Sequence, residues 1–107
     1  MPEEVLVVFT TWPDAGAARA AARTLVGERL IACANLLPGI ESIYKWKGTI
    51  ETGVEILVLM KTTVSRYREL ESRIRALHPC EVPEIVSLRA GEGLPAYLQW
   101  VQECCNP

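Results

Sequence analysis

The chain has 107 residues, half of them apolar and 22% charged, with seven glycines, seven prolines and a net charge of -2. A chain of this length and balance is expected to form one compact domain, residues 1–107, burying roughly 60–70% of its unfolded surface without disulfide or metal staples, which excludes disordered and collagen-like classes. An isoelectric point near 5.4 with no basic stripe argues against nucleic acid as a partner, no apolar run reaches the ~20 residues of a membrane span, and the acidic Met1-Pro2-Glu3-Glu4 start is unlike a secretory signal, so a cytoplasmic protein is expected.

Val5 to Phe9 is an unbroken apolar run closed by Thr10-Thr11 and Trp12-Pro13-Asp14, which predicts a short strand ending in a turn, with Asp14 as the N-cap of a helix. From Ala15 to Arg29 the residues Ala18, Ala21, Ala22, Leu25 and Val26 recur at spacings of three and four, an amphipathic helix with an alanine-rich face. Cys33 to Trp46 reads as extended. Pro38-Gly39 interrupts it and marks a bulge, because proline donates no ladder hydrogen bond. Lys47-Gly48 reads as a hairpin turn, and Thr49 to Met60 returns with Ile50, Thr52, Val54, Ile56, Val58 and Met60 on one face. Fourteen residues at about 3.3 Å each span roughly 45 Å, against a diameter of about 35 Å for a compact domain of this length, so the long hairpin is expected to overhang its own domain.

Thr62-Thr63 is predicted to open a second helix, with Tyr67, Leu70, Ile74 and Leu77 on its buried stripe and the pairs Glu69–Arg73 and Glu71–Arg75 on its wet one. His78-Pro79 ends it. Pro83 to Leu88 reads as a fourth strand, and after the Gly91-Glu92-Gly93 loop a last helix runs from Pro95 through Tyr97, Trp100, Val101 and Cys104. Thr10, Thr11, Arg23 and Leu25 recur as Thr62, Thr63, Arg75 and Leu77 at an offset of 52. The order βαββαβ plus a terminal helix therefore predicts an α+β, ferredoxin-like sandwich: two interleaved split βαβ units forming a four-stranded antiparallel sheet with both crossover helices on one face. Val5–Phe9 and Ile56–Met60 are apolar on both faces, so the second face of the sheet needs a cover. With Ile43, Tyr44, Trp46 and Ile50 carried on the overhang, a second copy of the chain is the expected one.

Histidine occurs once, at His78, which excludes a metal site built from several imidazoles of one chain. At a helix end ahead of Pro79 it reads either as a cap or as a ligand or proton-handling group. Cys33 opens a strand and reads as a small buried hydrophobe unless it faces a cleft. Cys104-Cys105 diverge by about 100° on a helix and cannot grip one ion together, and the four cysteines read as free thiols. Glu81 and Glu84 flank Val82-Pro83 at the mouth of the fourth strand, where carboxylates are usually solvated. The sequence holds no G-x-S-x-G elbow, P-loop, G-x-G-x-x-G or H-E-x-x-H, and no enzymatic activity is expected.

The strings Ala32-Cys33-Ala34-Asn35-Leu36-Leu37-Pro38-Gly39, Ser42-Ile43-Tyr44-Lys45-Trp46-Lys47-Gly48, Lys61-Thr62-Thr63, Leu77-His78-Pro79-Cys80-Glu81-Val82-Pro83-Glu84-Ile85 and Tyr97-Leu98-Gln99-Trp100 together resemble the CutA divalent-cation-tolerance family, in its order and over about residues 5–101. The resemblance implies a ferredoxin-like subunit in a homotrimer similar in architecture to the nitrogen-regulatory signalling trimers, cytoplasmic, binding copper or zinc, with no obligatory cofactor. It carries over Cys33, His78 and Glu84 as the polar constellation near the cleft between subunits. Cys80 stands where the family usually has tyrosine and places a thiol two positions from His78; Thr10 stands where some members have cysteine. On this reading His78 supplies a nitrogen, Cys33 or Cys80 a thiolate and Glu84 an oxygen, while Ile43, Tyr44, Trp46 and Ile50 form the trimer interface. The alternative is a trimeric signalling scaffold whose clefts hold a small anionic metabolite or a partner protein's loop against Lys61, Arg89 and the Gly91–Gly93 loop. An acylphosphatase-like enzyme would need a glycine-rich phosphate loop with its arginine, which this sequence lacks.

Overall fold

The computed structural model describes residues 3–107, with β1 (Val5–Trp12), α1 (Ala15–Gly27), β2 (Cys33–Trp46), β3 (Thr49–Thr63), α2 (Tyr67–Leu77), β4 (Ile85–Arg89) and α3 (Pro95–Cys104) in chain order. Met1 and Pro2, half of the acidic start used to exclude a secretory signal, lie outside the described residues. The strands form one antiparallel sheet in the order β2-β3-β1-β4, the ferredoxin-like interleaving of two split βαβ units.

Residues paired across an antiparallel ladder share a face, so Val8, Thr10 and Trp12 of β1 stand with Met60, Val58 and Ile56 of β3. On this face α1 packs Ala18, Ala21 and Leu25, its small side chains allowing close approach, and α2 packs Leu70 and Ile74. Asp14 Oδ2 accepts from the Ala17 N–H at 2.8 Å and starts α1. α3 makes a smaller cluster, in which Val101 and Cys105 bury Val5 and Ala32. On the opposite face Val7, Phe9, Leu57 and Leu59 are half-buried, and Leu37, Val86 and Leu88 are exposed. The hairpin carries the expected interruption, a slip in register between Leu37 and Ile40 with Gly39 at φ 77°. Its tip places Lys47 at φ 51° and Gly48 at φ 83°, the left-handed pair of a type I′ turn. The molecule measures 47 × 26 × 22 Å, and its long axis agrees with an overhanging hairpin.

Several boundaries differ from the sequence expectation, each for a local reason. β1 continues to Trp12 because Thr10, Thr11 and Trp12 keep their pairing with Val58, Leu57 and Ile56. Thr62 and Thr63 end β3 instead of opening a helix: they pair with Leu6 and Val5, and the Thr62 hydroxyl donates to the Leu30 carbonyl at 2.6 Å. A 3-10 turn, Val64–Arg66, precedes α2. α1 stops at Gly27 because the chain turns left-handed at Arg29, φ 62°, where Arg66 reaches the carbonyls of Arg29 and Glu28 at 3.3 and 3.4 Å. β4 begins at Ile85, past Pro83, which has no N–H to pair. The expected i,i+4 ion pairs are replaced: Glu69 meets Arg66 at 3.2 Å, Arg73 holds Glu28 through two contacts at 2.9 and 3.0 Å, and Glu71 accepts from the Tyr67 hydroxyl at 2.8 Å. Of the long apolar stripe of β3 only Ile56, Val58 and Met60 are buried, whereas Ile50 and Val54, out on the hairpin, are exposed.

Candidate functional site

The segment between α2 and β4 returns along the end of β1 and faces the outer part of the hairpin, from Glu55 to Trp46, bounding an open cavity of about 650 Å³. His78, Cys80, Glu81 and Glu84 line it from that segment, Thr11 from β1, Glu55 from β3, and Ser42, Tyr44 and Trp46 from β2. No lysine or arginine lines it among the described residues, so three carboxylates and a thiol share one cavity without a cationic neighbour in the wall. Cys80, Glu81 and Glu84 are exposed and Glu55 is half-buried.

His78 is different from the other lining groups. It is buried, its ring centroid lies 4.3 Å from that of Trp12, and both ring nitrogens are engaged. Nε2 stands 2.7 Å from the Thr11 carbonyl oxygen, and Nδ1 accepts from the Cys80 N–H at 3.0 Å. A carbonyl can only accept, so Nε2 carries the proton and the imidazole is the neutral tautomer. His78 ends α2 through its backbone N–H, which donates to the Ile74 carbonyl at 2.8 Å, while its ring leaves the helix and lies in the cavity wall.

The structure brings His78, Cys80 and Glu84 to one cavity but leaves Cys33 elsewhere. Cys33 pairs with Lys61 while Thr11 pairs with Leu57, four residues along β3 and so about 13 Å up the sheet. The Cys33 thiol instead lies 3.5 Å from the Tyr97 hydroxyl of α3; that contact, aided by burial, pushes the Tyr97 phenol up to about 12. Among the described residues no three His, Cys, Asp or Glu side chains converge closely enough to hold an ion. One chain therefore does not close a metal site from the predicted set. Within one chain the cations of the anion-binding alternative stand apart: Lys61 shares a face with Val7 and donates to Asn35, while Arg89 shares the other face with Leu6 and pairs with Glu4 at 3.0 Å. Sequence reasoning passed over Glu55, Thr11 and Ser42. Glu55 left one signal, a carboxylate between Val54 and Ile56 at the head of the apolar run of β3.

Of the four expected interface residues, Tyr44 and Trp46 border this cavity beside Ile43, and Ile50 stands opposite Lys45, at a level of the hairpin between Tyr44 and Trp46. All four are exposed. Among the described residues no helix is long and apolar enough to cross a membrane.

Comparison with known proteins gives one consistent result. The family model for the CutA1 divalent ion tolerance protein matches residues 6–104. A divalent-cation tolerance protein CutA from Thermus thermophilus is 47% identical over 97 residues, 91% of this chain and 94% of that one. The human protein CutA is 43% identical over 103 residues, and there the match covers 96% of this chain but 58% of the longer relative. Among solved structures, CutA from Xylella fastidiosa superposes with a TM-score of 0.94 at 41% identity, covering 96% of this chain and 99% of that one. The Thermus thermophilus Cut A1 structure gives 0.93 at 45% identity, covering 95% and 99%.

Proposed function

The chain belongs to the CutA1 divalent ion tolerance family, and from that premise we propose that it is a divalent-cation-binding protein, not an enzyme, that works as a homotrimer. The observation that carries the reading is the cavity beside the hairpin, where the Cys80 thiol and the carboxylates of Glu55, Glu81 and Glu84 gather with no cation in the wall. Thiolate and carboxylate together suit copper or zinc, the sulfur favouring these softer ions over magnesium or calcium. The donor set is incomplete in one chain, and a second copy completes it by bringing its own Cys33 side to the cavity. Two features support such an assembly: the half-buried apolar sheet face of Val7, Phe9, Leu57 and Leu59, and the exposed Ile43, Tyr44, Trp46 and Ile50 of the hairpin. Cys33, Cys80, Cys104 and Cys105 are free thiols, which suits a reducing compartment and hence the cytoplasm.

Native mass spectrometry of the reduced, chelator-stripped protein, titrated with copper and with zinc, tests both halves of the reading in one spectrum. The expected result is a trimer that takes up one ion per subunit and then saturates. A trimer without saturable uptake overturns the cation reading and leaves the architecture standing; a monomer at micromolar concentration overturns the assembly.

A further inference from the structure

We infer that His78 is a positioning residue that holds the cavity wall in place, and not a ligand of the cation; only the metal-binding arm of this inference rests on the proposed cation reading. A metal takes the lone pair of a neutral imidazole nitrogen. In His78 neither nitrogen offers one, because Nε2 carries the proton shared with the Thr11 carbonyl at 2.7 Å and the Nδ1 lone pair receives the Cys80 N–H at 3.0 Å. The ring cannot turn to free a nitrogen without stranding one of these backbone groups, and turning is opposed by its packing on Trp12, itself 0% exposed.

The two bonds join places distant in the chain. Thr11 belongs to β1, at the centre of the sheet, and Cys80 to the irregular segment that carries Glu81 and Glu84. His78 thereby ties the donor-bearing segment to the sheet and fixes Cys80 and Glu84 across the cavity from Glu55. Those oxygen and sulfur donors are the groups with free lone pairs: Glu55, Glu81 and Glu84 make no ion pair among the described residues.

His78 is the only histidine in the sequence, so the ring nitrogens of labelled full-length protein give a single set of signals. We compare the reduced wild type with His78→Asn, whose side-chain oxygen can accept the N–H two residues on in an Asx turn, and with His78→Ala, which cannot. The measurements are hydrogen exchange at the Cys80 amide, zinc affinity, and the ring nitrogen shifts on zinc saturation. The expected result is a Cys80 amide protected in the wild type and in His78→Asn but exchanging about tenfold faster in His78→Ala, the scale of one lost hydrogen bond. Zinc affinity follows the same order, kept within about threefold in His78→Asn and weakened about tenfold in His78→Ala, while the wild-type ring nitrogens keep their shifts. A metal-coordinated nitrogen shift in the wild type overturns the inference, as does a His78→Asn that loses zinc as fully as His78→Ala. If zinc does not bind saturably, the cation reading fails and exchange at Cys80 alone decides: protection lost in His78→Ala and kept in His78→Asn upholds the positioning role, and equal exchange in all three proteins refutes it.

Discussion

The repeat at an offset of 52 sets up a matched pair of substitutions for which the structure demands opposite signs. Thr10 and Thr62 occupy equivalent places near the ends of β1 and β3, both fully buried. Thr62 spends its hydroxyl on the Leu30 carbonyl at 2.6 Å, whereas the Thr10 hydroxyl finds no partner among the described residues. Thr10→Val removes an unsatisfied buried hydroxyl, which costs about 1–3 kcal/mol, and adds a buried methyl group, so it stabilises by about 1–2 kcal/mol. Thr62→Val breaks a made bond and strands the Leu30 carbonyl, so it destabilises by about 1–2 kcal/mol despite the same gain in apolar burial. Chemical denaturation followed by tryptophan fluorescence, with fully buried Trp12 as reporter, measures both at one protein concentration so that assembly does not enter the difference. In thermal melts of the same proteins, at roughly 4–8 °C per kcal/mol for a domain of this size, the two melting temperatures move apart by about 10 °C or more. Two shifts of the same sign, or a Thr10→Val less stable than the wild type at unchanged m-value, would refute the reasoning.

Three further outcomes follow from other contacts. Arg66→Ala removes the guanidinium that serves the Glu28 and Arg29 carbonyls just after α1 and is expected to cost about 1–2 kcal/mol in thermal denaturation, with Arg66→Lys recovering only part because it lacks the planar fork. Trp46→Ala weakens the proposed trimer by about 2–4 kcal/mol per site in sedimentation equilibrium, and a trimer equally resistant to dilution would remove Trp46 from the interface. Burial, reinforced by Glu71, pushes the Tyr67 phenol up to about 12, as the Cys33 contact does for Tyr97. Because both folded values lie above the unfolded value of 10.0, the folded protein keeps protons that the unfolded chain releases; stability is level below that pH and falls as pH rises toward about 12, in step with tyrosinate absorbance.

The parts of the fold written in short-range chemistry were legible in the sequence. Asp14 as a cap, the break at Pro38-Gly39, the hairpin turn at Lys47-Gly48 and the apolar rows of β1 and β3 each depend on neighbours within a few residues. What misled was any residue whose partner is remote. Thr62-Thr63 has the composition of a helix start, yet its fate is set by Leu6, Val5 and Leu30. Arg73 has a suitable glutamate four residues before it and instead takes Glu28, 45 residues away. The candidate site follows the same rule: the string from His78 to Glu84 marked the cavity wall, but nothing local shows that the His78 ring is occupied by a backbone oxygen 67 residues upstream, or that Cys33 belongs with Tyr97.

The strand order also dictates a timetable for folding. β2 and β3 meet through the two-residue turn at Lys47-Gly48 and can zip as soon as both are synthesised. β1 is made first, yet its partners on β3 lie 44 to 58 residues later and those on β4 up to 83 residues later. Such long closures are slow, so the apolar run Val5–Phe9 waits unpaired while the rest of the chain emerges. Glu3 and Glu4 stand directly before that run, and an acidic pair in that place discourages nascent chains from pairing with one another before the sheet can claim its central strand.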